Sequence, residues 1–169
     1  MQALFDLLAR FPHPLFIIGG QALEPHGVSR QTVDVDCLIA VENREAFDEH
    51  LCSRGFRKFH ETENFARYHH TSGVVPDTDV LFVDASTFEK LQAGSVSFRH
   101  GNAQLQVPAL PHLIALKLHA IRNNPAREFS DLVDITKLLQ VNPGVVSTSE
   151  LATLCVEFGP PGIQEKLHL

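Results

Sequence analysis

Positive charge, cysteine and long apolar runs are all scarce in this chain, and each shortage excludes something. Lysine and arginine number 14 against 20 aspartates and glutamates, giving a net charge of −6 and a pI of about 5.9. The field of the whole molecule therefore does not attract polyanions, and a nucleic-acid partner would need a local basic patch. Cysteine occurs three times, at Cys37, Cys52 and Cys155. An odd count without C-x-x-C spacing argues for reduced thiols rather than a disulfide framework or a zinc site. No uncharged apolar run approaches the roughly 20 residues that a membrane span needs. The N-terminus shows neither a basic region nor a cleavage pattern. Together these features predict a cytoplasmic protein with no membrane partner. Internal repeats and long low-complexity segments are missing too. What remains is 169 residues at 44% hydrophobic content, enough to bury one core.

One stretch organises the rest. A short apolar strand, residues 15–18, runs straight into Gly19-Gly20, and residues 21–24 suit a short helix. Without Cβ atoms the glycine backbone can approach a ligand closely, and the free N–H groups at a helix start face an anion. A second strand, residues 33–40, carries Asp34 and Asp36. Side chains two apart share a face, roughly 7 Å from one another. Val35, Cys37 and Ile39 then take the opposite face into the core. Two neighbouring carboxylates repel, and without a cation one is pushed toward protonation. A hard divalent cation removes that cost, and carboxylates with phosphate oxygens are the usual Mg²⁺ environment. A tight strand-to-helix turn explains the glycines alone, and chance explains an isolated D-x-D. The joint pattern carries the signal.

The remaining segments read as follows. Residues 2–10 predict a packing helix ended by Pro12 and Pro14. Residues 44–54 predict an amphipathic helix with Phe47, Leu51 and Cys52 inside and Gly55 ending it. Residues 56–59 and 65–70 form two strands in which aromatic and basic residues alternate. That alternation suits a half-buried edge strand better than a nucleic-acid platform, although Arg54, Arg57, Lys58 and Arg67 could form a local patch. Residues 74–83 predict a third important strand, entered at Pro76. Asp77 and Asp79 share a face there. Asp79, next to the buried run, is the better candidate for a third carboxylate beside Asp34 and Asp36. Asp84 suits an N-cap for a helix over residues 86–92. A β-hairpin turns at Gly101-Asn102. Two helices follow, residues 111–122 and one from about Ala126. The second has a broad apolar face of Phe129, Leu132, Val133, Ile135, Leu138 and Leu139, flanked by Arg127, Asp131 and Asp134. Lys117 lies in the first of them, where its ammonium seeks solvent, a salt bridge to Asp131 or Asp134, or an anionic ligand. Beyond Asn142 a Pro/Gly/Ser-rich tail offers one short helix, residues 149–158, and a loose Gly-Pro-Pro-Gly end.

With these residues in view, the chain resembles the nucleotidyltransferase superfamily, whose motif is a strand, Gly-Gly or Gly-Ser, a spacer of about a dozen residues, then Asp-x-Asp or Asp-x-Glu. More narrowly, Gly19-Gly20 with His26-Gly27, Arg30, Thr32, Asp34 and Asp36 is similar to the abortive-infection toxin-type branch. So is the later run from Leu116 through Lys117, Arg122, Arg127 and Asp131 to Ile135. The resemblance covers roughly residues 13–140. It implies an α+β fold, a small mixed sheet flanked by helices as in a polymerase-beta-like palm. In that reading residues 1–107 form the α/β core and 108–169 a helical segment packed on it. It also implies site roles. Gly19 and Gly20 would hold a triphosphate, with Arg30, Thr32 and Lys117 contacting the nucleotide or bracing the carboxylates. Asp34, Asp36 and Asp79 would bind Mg²⁺ or Mn²⁺ and form the catalytic set. The implied reaction moves a nucleoside monophosphate from a nucleoside triphosphate to a hydroxyl on RNA, a protein or a small molecule. The alternatives are a catalytically inactive binding module, toxin–antitoxin-like, and a metal-dependent phosphohydrolase.

Overall fold

Seven extended runs become one mixed sheet. A computed structural model describes residues 1–167. The strands are β1 (Phe16–Ile18), β2 (Val35–Ala40), β3 (Phe56–Glu61), β4 (Phe65–His70), β5 (Thr78–Val83), β6 (Val96–His100) and β7 (Ala103–Val107). Their order across the sheet is β3-β4-β5-β2-β1-β7-β6. β2 runs parallel to β5 and antiparallel to β1, and β1 runs parallel to β7. The expected mixed sheet with flanking helices is the one found.

Register assigns each row of side chains to a face. Ile17, Cys37, Val80 and Ala66 form one row, all fully buried. α2 (Arg44–Cys52) covers that face, and its Phe47 meets Tyr68 and Phe11 edge-on. On the opposite face Phe16 packs against Phe88 of α3 (Ala85–Gln92), with ring centroids 5.0 Å apart. Asp84 caps α3 by accepting from the Thr87 N–H at 2.9 Å, as its position suggested. α1 (Gln2–Leu8) buries Leu4, Phe5, Leu7 and Leu8 and sets Phe5 against Phe98.

The chain forms two compact units. The first comprises Met1–Ala22 and Arg30–Pro108, and the second comprises Leu23–Ser29 and the chain from Ala109 on. In the second unit α4 (Leu110–Asn123) packs against α5 (Glu128–Val141) and α6 (Thr148–Phe158). Ser147 caps α6, and a short α7 (Ile163–Lys166) follows the Gly-Pro-Pro-Gly run that reads as a loose end. Asn142 donates to the His26 carbonyl at 2.8 Å, which ties Leu23–Ser29 to the end of α5. Among the described residues no helix is long and apolar enough to cross a membrane.

Several local expectations are corrected. β2 starts at Val35, so Asp34 precedes the strand, and Leu38 is as fully buried as Cys37 and Ile39. Central parallel pairing with β5 buries both faces, where alternation predicts one. β5 starts at Thr78, leaving Asp77 ahead of it. Residues 21–26 form a 3₁₀ helix with Pro25 inside. Cys52 is exposed. The buried stripe of α5 is Asp131, Asp134, Ile135 and Leu138, while Phe129 is 83% exposed. The two acids turn inward because they meet Lys117.

Candidate active site

The site begins where β1 ends. Ile18 pairs with Asp36 across the antiparallel ladder. Gly19 follows with φ +66°, and a Cβ built there would collide with the Asp36 carboxylate. Only glycine tolerates both the left-handed backbone and that approach. Gly20 sits against Thr32, whose Cβ and Cγ2 lie 3.1 Å from where a Gly20 Cβ would be. The connection carrying Thr32 and exposed Arg30 therefore folds back onto the glycine turn.

From Asp36 the row continues across the sheet. Asp36 pairs with Asp79 on parallel β5, and Asp79 pairs with Arg67 on antiparallel β4. Side chains in one row share a face, so the two carboxylates and the guanidinium stand side by side. Arg67 donates through Nε to Asp79 Oδ1 and through Nη2 to Asp79 Oδ2, a two-pronged pair. Asp34, exposed at the mouth of β2, and Asp77, ahead of β5, also act on Arg67 through their charges. The bonds to Asp79, with the charges of Asp79, Asp34 and Asp77, outweigh burial and hold the guanidinium more firmly protonated than an ordinary arginine. Asp77 itself accepts from His69 Nδ1 at 2.7 Å. Behind the row, burial and then the charges of Asp36 and Asp79 push the Cys37 thiol far up, so it is a buried inert thiol.

Gly19, Gly20, Thr32, Asp34, Asp36 and Asp79 thus gather at one end of the first unit. Lys117 belongs to the second unit. It is buried there, with Nζ 3.0 Å from Asp131 Oδ1 and 2.7 Å from Asp134 Oδ2. Arg127 adds a bond to Asp131 at 2.9 Å. Both acids named as salt-bridge partners for Lys117 are used. The residue that sequence reasoning missed is Arg67, counted there with a basic patch. Its alternation in Phe65-Ala66-Arg67-Tyr68 marks a face but not the strand beside it. Lys58 leaves that patch as well, held by Glu61 at 3.0 Å and Asp48 at 3.6 Å.

The donor chemistry fits a hard divalent cation. Asp36 and Asp79 offer oxygen ligands from adjacent strands, and Asp34 lies two residues before Asp36. Among the described residues no three ligating side chains already converge, and Asp79 is paired with Arg67.

Solved structures share this backbone. ANT(2″)-Ia in complex with adenylyl-2″-tobramycin aligns with a TM-score of 0.69 at 14% identity, covering 93% of this chain and 95% of that one. The fold is that of the nucleotidyltransferases. The lincosamide antibiotic adenylyltransferase LnuA, lincomycin-bound, aligns at 0.59 and 13% identity over 83% of this chain and 96% of its own. A nucleotidyltransferase-like protein from Paracoccidioides brasiliensis aligns at 0.54 and 17% identity over 91% and 83%. No protein-family model matches the chain, and no curated protein sequence does. Within the nucleotidyltransferase fold, the acid row stands on the central strand pair β2 and β5, with the glycine turn leaving β1 beside it.

Proposed function

We propose that this chain is an enzyme, a nucleotidyltransferase that moves a nucleoside monophosphate from a nucleoside triphosphate to a hydroxyl acceptor with Mg²⁺ or Mn²⁺. The observation that carries this reading is the Gly19 turn laid against Asp36, with Asp79 as its cross-strand neighbour. Bare backbone and two carboxylates then meet where a metal-bound triphosphate would need them. The abortive-infection toxin-type branch is the narrower relative, on the strength of the His26-Gly27 and Arg30-to-Asp36 pattern.

Asp34, Asp36 and Asp79 would hold the cation. When bound, it supplies charge neutralisation for an in-line displacement at phosphorus. The backbone of Gly19 and Gly20 takes the phosphates, with Thr32 and Arg30 beside them. The acceptor hydroxyl gives up its proton to solvent as its oxygen attacks the α-phosphorus, the bond from that phosphorus to the α–β bridging oxygen breaks, and pyrophosphate leaves. Lys117, engaged by Asp131 and Asp134, braces the helical unit in this reading. ANT(2″)-Ia was solved with an adenylylated tobramycin and LnuA with lincomycin. Those structures support starting the acceptor search among small hydroxylated compounds, and the net charge of −6 leans the same way against a long RNA.

The test is pyrophosphate release from each of the four ribonucleoside triphosphates with Mg²⁺ and a panel of hydroxyl acceptors. Asp36→Ala is expected to lose at least about 100-fold in rate with an unchanged circular-dichroism spectrum. Wild-type turnover in that variant would sink the assignment. Release of inorganic phosphate in place of pyrophosphate would reassign the site to hydrolysis.

A further inference from the structure

Arg67 closes both oxygens of Asp79, and Asp79 is one of the carboxylates the proposed reaction assigns to a metal. The two partners differ in freedom. The short Asp79 side chain is 16% exposed, whereas the longer Arg67 side chain is 45% exposed. The guanidinium also lies 5.9 Å from the centroid of the Phe65 ring, two residues away on the same face of β4. A cation can rest against an aromatic face, so Arg67 has somewhere to go when it leaves Asp79. The shorter and more buried Asp79 has less reach.

We propose that Arg67 and a divalent cation are alternative counter-ions of Asp79, so that Arg67 sets how tightly the site takes its metal. This inference rests on the metal-dependent reading of the site. Its physical basis is a choice between two neutralisers. Asp36 and Asp79 are direct neighbours on parallel strands, and like charges so placed destabilise the sheet. Arg67 relieves that repulsion in the metal-free protein. A divalent cation brought in with a triphosphate relieves it more strongly, but it meets repulsion from the guanidinium until Arg67 lets go. Asp34 and Asp77 add further negative charge around Arg67. The pair thus holds Asp79 in place without committing it to metal.

Mn²⁺ binding, followed by the loss of its free-ion paramagnetic resonance signal, tests this on the 169-residue chain. Arg67→Gln is expected to bind Mn²⁺ about three- to tenfold tighter than wild type. Arg67→Lys, which keeps the charge but loses the fork, is expected to fall between the two. In the Asp79→Asn background the gain from Arg67→Gln should vanish. A gain that persists there would be a general field effect and would overturn the competition. Equal affinity in wild type and Arg67→Gln would overturn it as well, while leaving the metal site itself intact. Absence of Mn²⁺ binding from both proteins would overturn the metal-dependent reading along with it. Melting temperature supplies a readout independent of affinity. Arg67→Gln should melt lower than wild type in EDTA and regain more than wild type on adding Mg²⁺. Identical responses would count against the proposal.

Discussion

A single methyl group is enough to probe the glycine turn. At Gly19 it meets two costs at once, a φ of +66° and the Asp36 carboxylate in its path. The backbone alone costs about 1–2 kcal/mol for a residue with a Cβ. Asp36 cannot yield cheaply, because it is held in β2 between Ile18 and Asp79. Gly19→Ala should therefore lose about 2 kcal/mol or more in urea unfolding. Any Mg²⁺–nucleotide stabilisation should go with it. Gly20→Ala is the milder case. Its new Cβ would sit 3.1 Å from Thr32 carbons, a distance that a shift of the exposed connection can relieve. Less than about 1 kcal/mol is expected there. If the two alanines cost the same, the tight approach of Asp36 to Gly19 would be wrong.

At the scale of elements, one ion-pair network sets which face of α5 is buried. Lys117 on α4 is 3% exposed, Asp131 on α5 is 0% and Asp134 is 3%. Three buried charges cost several kcal/mol each to desolvate, and their mutual pairing, with Arg127 added on Asp131, offsets it. Lys117→Met leaves Asp134 without its ammonium and Asp131 with Arg127 alone. Its expected loss is about 3–5 kcal/mol, read from thermal unfolding, against near-neutrality for exposed Lys137→Met. The same network predicts a pH dependence. Burial pushes the Asp131 carboxyl up, but Lys117 and Arg127 outweigh it and hold the group below the usual carboxylate value. A carboxyl depressed on folding stabilises above its unfolded value of about 3.9 and loses that contribution as pH falls through its folded value. Wild type should thus lose more stability than Asp131→Asn between pH 5 and pH 2.5, a window set by roughly those values. Parallel melting curves across that range would remove Asp131 from the account. Arg44 plays a smaller part of the same kind. It holds the β3–β4 turn through Glu61 and the carbonyls of Thr62 and Glu63, with its guanidinium 4.5 Å from the Phe82 centroid.

Across the whole molecule, what the sequence makes legible follows how local the cause is. The glycine pair after an apolar strand, the Gly101-Asn102 hairpin and the Asp84 cap depend on neighbours within a few positions, and all three read directly. Arg67 beside Asp79 depends on strand register between segments twelve residues apart, which alternation does not encode. The inward acids of α5 are legible only in part, since a Lys117 salt bridge to Asp131 or Asp134 is one of several options the sequence offers and the choice among them depends on how α4 packs on α5. The grouping of Leu23–Ser29 with the chain from Ala109 on is more distant still, resting on contacts such as Asn142 to His26. Site roles are harder again, since a carboxylate row serves a metal, a salt bridge or both. Ligand linkage addresses that at the level of the folded protein. A nucleoside triphosphate at a hundred times its dissociation constant stabilises by about 2.7 kcal/mol, or roughly 5–10 °C for a chain this size. The shift is expected with one triphosphate more than the others, only with Mg²⁺, and to disappear in EDTA and in Asp36→Ala. A shift of the same size in EDTA would place the triphosphate elsewhere than on the carboxylates. The same curve for Asp36→Ala and wild type would separate the glycine turn from the acid row, leaving a phosphate cradle without a metal.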